Sequence, residues 1–236
     1  MIEVITIWQR INQYASKYQS GVVVADTFNA ALAETQLEIY NDLSQFYQVN
    51  EKVRGLLNPW VKVANTPVAN GVIDMATVVA DDEEFDRVVA MGVTSGTSPY
   101  TSLYEINPIT EGELVYVNRV PQRQPDLNAK RVYFLMDGAT TINLAPIVST
   151  LPTKIYYLIF PTEAHIAFTY TVTDDEDIMT YDAGDSVNLA WTKDAENIII
   201  YKMLQKYGIT SRDSWIAEYS RLGIDSALFM QQGGKS

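Results

Sequence analysis

The hydrophobic pattern of this chain changes period twice, and that order constrains its fold more than any composition figure. Residues 1–63 repeat apolar side chains at three- and four-residue steps, the spacing of a buried helical stripe. Residues 64–191 turn to alternation, the period of a half-buried strand. Residues 192–236 return to the helical step. Strands gathered between two helical ends predict an α+β fold with a largely antiparallel β region, because the regular helix–strand alternation of a doubly wound fold is missing. The expected organisation is a 1–63 N-terminal helical segment, a 64–191 β-rich body and a 192–236 C-terminal helical segment, forming one compact domain with helical appendages.

In the first zone, Val4, Ile7, Trp8, Ile11 and Tyr14 predict a helix within Ile2 to Lys17. Gly21 interrupts it. Asp26 is placed to cap a second helix, its carboxylate accepting the free N–H groups of the first turn. That helix, expected over 27–48, is about 33 Å long. It carries two adjoining stripes: Phe28, Leu32, Thr35, Ile39, Leu43 and Phe46, then Leu37, Tyr40 and Tyr47. A short helix over Val53 to Leu57 ends before Pro59.

Strands are predicted at Val72–Val79, Glu113–Val120, Arg131–Met136, Thr140–Leu144, Lys154–Phe160 and His165–Thr173. Asp137-Gly138 marks a hairpin, since both residues tolerate positive φ. GVTSGTSP, from Gly92 to Pro99, and PQRQPDLN, from Pro121 to Asn128, are expected as exposed loops. In the last zone, Thr192 or Asp194 caps a helix to about Tyr207, which Gly208 ends. Thr210 with Asp213 opens another, with Trp215, Ile216, Tyr219 and Leu222 on one face.

Composition removes several classes of function. The net charge of −12 disfavours direct binding to a phosphate backbone. With no cysteine, disulfides and thiolate zinc sites are excluded. A single histidine, His165, leaves no multi-histidine metal site within one chain, and without evident partners it is read as a structural or exposed residue. The opening MIEVITIWQRINQY lacks the basic start and long apolar run of a signal peptide, and no apolar run is long enough for a membrane helix. The expectation is a soluble protein made in a cytoplasm, with no membrane partner.

The remaining candidates for chemistry are weak. Asp174, Asp175, Glu176 and Asp177 are contiguous, whereas a calcium loop spreads its ligands over alternate positions around a glycine, so a solvated loop is expected. Asp81, Asp82, Glu83 and Glu84 precede Phe85 and Val88 and are read as a helix start. Gly92-Val93-Thr94-Ser95-Gly96 lacks the Gly-Lys-Ser/Thr ending of a phosphate loop. No catalytic residue, metal ligand or cofactor site is assigned.

Three segments, taken together, resemble virion structural proteins of tailed phages that infect Bacteroidota, including the crAss-like phages. The first holds Ser20-Gly21, Phe28-Asn29 and Ala33-x-x-Gln36. The second is Phe160-Pro161-Thr162 with the strand through Phe168-Thr169-Tyr170. The third runs from Asp182-Ala183-Gly184-Asp185-Ser186-Val187-Asn188-Leu189-Ala190 to Trp191, followed by Tyr207-Gly208-Ile209 and Arg212-Asp213. Residues 64–153 contribute least. The resemblance implies a non-enzymatic head-to-tail connector (ring or adaptor) subunit at the virion's head–tail junction. It implies a homo-oligomeric ring of about twelve copies, with the portal and other tail ring proteins as neighbours and DNA only as passing cargo.

Fifteen tyrosines and four tryptophans suit such a role, because amphipathic aromatics are enriched at protein contacts, although core packing explains them as simply. Phe28, Tyr40, Phe46 and Tyr47, with Trp215, Tyr219 and Leu222, are the expected interface or interface-supporting residues. Residues 1–63 have too few apolar stripes for a core of their own, so these helices must lean on something. Two alternatives stay open: another tail or neck protein, and, from a different class, a carbohydrate-binding or hydrolytic β-domain.

Overall fold

The computed structural model describes residues 1–17, 22–94, 102–172 and 177–207. In chain order these form α1 (Val4–Lys17), α2 (Ala25–Ser44), α3 (Glu51–Leu57), β1 (Val61–Ala69), β2 (Val72–Asp74), β3 (Phe85–Thr94) and β4 (Ser102–Pro108). Then follow α4 (Glu111–Arg119), β5 (Tyr133–Asp137), β6 (Thr141–Ala145), β7 (Thr150–Ile159), β8 (His165–Val172), β9 (Asp177–Val187) and α5 (Glu196–Lys206). The fold is α+β, with helices at both ends of a mostly antiparallel β region. Its contacts group into two compact units: Met1–Pro59 with Pro161–Ser236, and Trp60–Phe160. These units cut across the three zones of the sequence, because β8 and β9 group with the helices while the earlier strands group among themselves.

In the first unit, α1 and α2 form where the helical step is clearest. Val4, Ile7, Ile11 and Ala15 of α1 are fully buried. So are Phe28, Leu32, Ile39 and Tyr40 of α2, with Leu43 close behind. They pack against α5 and against β8, which among the described residues pairs with β9 as a two-stranded antiparallel sheet. Asn50 caps α3, its side-chain oxygen accepting from the N–H groups of Lys52 and Val53. By contrast, α2 begins at Ala25 after Val24, with no side-chain cap. Asp26 therefore lies in the first turn, where it meets the helix dipole instead of capping it. The helix stops at Ser44, and residues 45–49 continue as turns. Neither Thr192 nor Asp194 caps α5, which follows a 3-10 turn over Lys193–Ala195 and takes Ala195 at its N-cap without a side-chain bond.

The second unit is a closed barrel in the order β1-β2-β6-β5-β4-β3-β7, with β7 returning to β1. Every neighbouring pair is antiparallel except β4 with β5. Closure removes free sheet edges, and a barrel this small is filled by its own side chains. Val68, Ile73, Met91, Ile106, Ile142 and Ile155 are all buried. The buried Thr153 hydroxyl donates to the Thr66 carbonyl at 2.5 Å.

Two turns fix the register around β2 and β6. Asn70 and Gly71 have φ of 54° and 78°, and Ala69 pairs with Val72. That is a two-residue hairpin with both central residues left-handed, which Asn-Gly favours. The Asp137-Gly138 hairpin also forms, but Asp137 ends β5, and only Gly138, at φ 73°, takes the left-handed turn of a 138–140 connection.

Three predicted elements differ. Residues Glu113–Val120 are a helix, not a strand: Thr110 accepts from the Glu113 N–H while the Glu113 carboxylate accepts from the Thr110 N–H, a complete capping box. Val72–Val79 is a strand only to Asp74, where the Asp74 carboxylate takes the Ala76 N–H and starts a 3-10 turn over Met75–Thr77. Asp81–Glu84 lead into β3, not into a helix. The loop expected from Gly92 begins later, since Gly92–Thr94 are buried at the end of β3, and the rest of that loop lies outside the described residues.

Candidate functional site

Several of the residues that carry the resemblance, Asn29, Gln36, Thr169, Asp182, Ser186, Asn188 and Trp191 among them, make polar bonds between distant segments of the first unit, while Ser20-Gly21, Gly208-Ile209 and Arg212-Asp213 lie outside the described residues. Ile166 of β8 lies where the β8–β9 ladder is broken. His165 pairs with Val187, yet Ala167 pairs with Asp182, so residues 183–186 of β9 bow out of register. Asn29 of α2 takes the backbone groups of Ile166. Its Nδ2 donates to the Ile166 carbonyl at 3.0 Å, and its Oδ1 accepts the Ile166 N–H at 2.8 Å. One side chain thus does the work of a third strand.

Asp182 shapes the bowed segment. Its Oδ1 accepts the N–H groups of Gly184 and Asp185, and its Oδ2 accepts the Thr169 hydroxyl. The Thr169 hydroxyl, then the Asp185 and Gly184 N–H groups, hold the Asp182 carboxyl below the usual carboxylate range. Ser186 closes the gap in the ladder: its hydroxyl donates to the Asp182 carbonyl and accepts the Ala167 N–H.

The same stretch ties down both N-terminal helices. Asn188 Oδ1 accepts the Val4 N–H at the start of α1, and Leu189 exchanges both backbone bonds with Ile2. Trp191, fully buried, donates its Nε1–H to Oε1 of the buried Gln36 at 3.2 Å. Asn29, Gln36, Asn188 and Trp191 therefore bond across positions that sequence spacing does not relate, around the apolar core of the first unit.

The expected interface residues divide by burial. Phe28 and Tyr40 expose nothing and belong to the unit's own core. Phe46 and Tyr47 are half-buried, and burial raises the Tyr47 phenol above its ordinary value against the pull of Arg54. Trp215, Tyr219 and Leu222 lie outside the described residues. Helices α1 and α2 take support from α5 and β8 of the same chain, where Phe28, Leu32, Thr35, Ile39 and Leu43 of the main stripe are buried. Charges reinforce that internal packing. Lys202 of α5 bonds Glu38 at 2.6 Å and Asp42 at 2.8 Å on α2, and Lys206 bonds Glu34 at 3.0 Å.

An open apolar surface exists instead on the barrel unit. A groove of about 820 Å³ runs between α4 and the β2–β6–β5 side. Val72, Val115, Met136 and Ile147 line it while remaining 42, 54, 41 and 82 % exposed. Among the four apolar side chains of α4, only Val117 is buried. Gly71 shapes one wall: a Cβ there would meet Ile147 Cγ2 at 3.0 Å.

The groups considered for chemistry do not assemble into a centre among the described residues. His165 donates from Nε2 to the Asp185 carbonyl at 2.7 Å. Glu83 pairs with Lys62. No three His, Asp or Glu side chains among the described residues converge as metal ligands. Asp174–Glu176 lie outside the described residues. Among those described, no helix is long and apolar enough to cross a membrane. No protein-family profile matches the chain, and no curated protein matches it significantly.

Proposed function

We propose that this chain is a non-enzymatic virion structural protein, a subunit of a head-to-tail connector ring that docks beneath the portal and lines part of the DNA channel. The observation that carries this reading is the convergence of the motif residues. Asn29 and Gln36 from the first segment bond to Ile166 and Trp191 from the second and third. Parts of all three segments that resemble phage structural proteins thus meet within one unit, which is what a likeness of the folded unit requires.

The acidic balance of −12 suits a channel subunit, because a wall of like charge repels DNA and lets it slide. A ring closes through heterologous contacts, one surface of each copy meeting a different surface of the next. Mass photometry of the purified chain, alone and mixed with its portal, tests the proposal. Ring-sized particles, or binding of many copies to the portal, support it. A stable monomer that ignores the portal and binds glycans overturns it in favour of a carbohydrate-binding domain.

A further inference from the structure

We infer that the groove between α4 and the β2–β6–β5 side of the barrel receives residues 210–222 of a neighbouring copy of this chain. The inference rests on the connector reading and specifies its subunit contact. Val72, Val115, Met136 and Ile147 leave large apolar surface open in one concavity of about 820 Å³. Contiguous apolar surface of this kind marks a docking site. The segment following Tyr207 supplies a matching occupant. Trp215, Ile216, Tyr219 and Leu222 are spaced for one face of a helix, the pattern by which amphipathic helices enter apolar grooves.

Charge agrees with the pairing. Arg212 falls on that same face of a helical wheel, and the groove lining carries Glu111 and Asp137, neither in an ion pair among the described residues. Residues 208–236 balance Arg212, Arg221 and Lys235 against Asp213, Glu218 and Asp225, so the segment is neutral while the rest of the chain carries the net −12. It therefore approaches an acidic neighbour without net repulsion. A groove that receives a different segment of the next copy makes a heterologous contact, which ring closure requires.

The absence of cysteine makes a clean test possible. Val115→Cys and Tyr219→Cys are made as separate full-length variants, mixed, and treated with a short bismaleimide. Val115 is 54 % exposed, so its substitution leaves folding intact. Mixed cross-linked dimers should accumulate several-fold above either variant alone. Val115→Glu in the same chain as Tyr219→Cys should not change cross-linking to a partner bearing only Val115→Cys, but should abolish self-assembly into larger particles. Cross-linking no greater in the mixture than in the separate variants overturns the inference. So does a double variant that links only within one chain, which would place the chain's own segment in the groove. Portal binding is read separately by mass photometry, so a failed groove contact and a failed connector reading are distinguishable.

Discussion

Replacing Asn29 by alanine removes both partners of the Ile166 backbone at once. Ile166 is 2 % exposed, and the bonds to its carbonyl and N–H are 3.0 and 2.8 Å long. Each backbone group left without a partner in a shielded site costs about 1–3 kcal/mol. Asn29 itself is half-buried, so water recovers part of that loss, and the expected destabilisation is roughly 2–4 kcal/mol. Asn29→Asp sharpens the test. Its carboxylate still accepts the Ile166 N–H, but its second oxygen faces the Ile166 carbonyl where a donor is needed. Asn29→Asp should therefore be less stable than Asn29→Ala at neutral pH and should recover as acid protonates the new carboxyl. Urea unfolding followed by tryptophan fluorescence reads these differences, with the exposed Asn41→Ala on the same helix as control. If Asn29→Ala unfolds within about 0.5 kcal/mol of that control, the strand-completing role of Asn29 is wrong.

Gln36→Leu should destabilise the first unit by about 1–3 kcal/mol by leaving the buried Trp191 Nε1–H short of its acceptor, and should shift the tryptophan emission of the folded protein. Gly71→Ala should cost about 1–2 kcal/mol, because Gly71 is left-handed and a Cβ there crowds Ile147. Gly112→Ala, in α4 with open space around it, should instead stabilise by about 0.4–1 kcal/mol, and opposite signs in urea titrations check the pair. The charge cluster between α2 and α5 predicts a pH window. The hydrogen bond from Lys202, against a smaller opposing effect of burial, lowers the Glu38 pKa below 4.5, so its contribution is present above that value and lost as pH falls through the folded pKa. Burial opposes the Lys202 charge, but Asp42 and Glu38 outweigh it and raise its pKa, so its contribution is complete below 10.5 and lost as pH rises through the folded value. Lys202→Met should flatten both limbs of the stability–pH profile measured by thermal melting.

The elements legible in the sequence were those whose pattern is local. Val4, Ile7 and Ile11 announce α1, and Phe28, Leu32 and Ile39 announce α2, because one face of each helix enters a core. The alternation of β8 and the glycine at 138 were equally readable. In α4, the run Val115-Tyr116-Val117 has strand propensity, but the Thr110–Glu113 capping box decides the outcome, and its spacing was visible. Asn70-Gly71 was another available hairpin signal. Strand β1 was hidden by Pro67, which lies opposite Pro152 of β7, so two residues without N–H groups share one rung of the ladder.

The polar clasp was legible only as motif residues without partners. Asn29 and Ile166 are 137 positions apart, and Gln36 and Trp191 are 155 apart. No periodicity joins such pairs. The groove was hidden for a related reason: Val72, Val115, Met136 and Ile147 come from four parts of the chain and meet only once the barrel closes.

Cryo-EM of virions that carry this chain addresses its central assignment most directly. The account predicts density for a closed ring at the head–tail junction, the barrel units forming its body and each C-terminal segment reaching the next copy's α4 groove. Virions in which the chain occurs away from that junction, or in which its copies touch only through the α2 stripe, would contradict it.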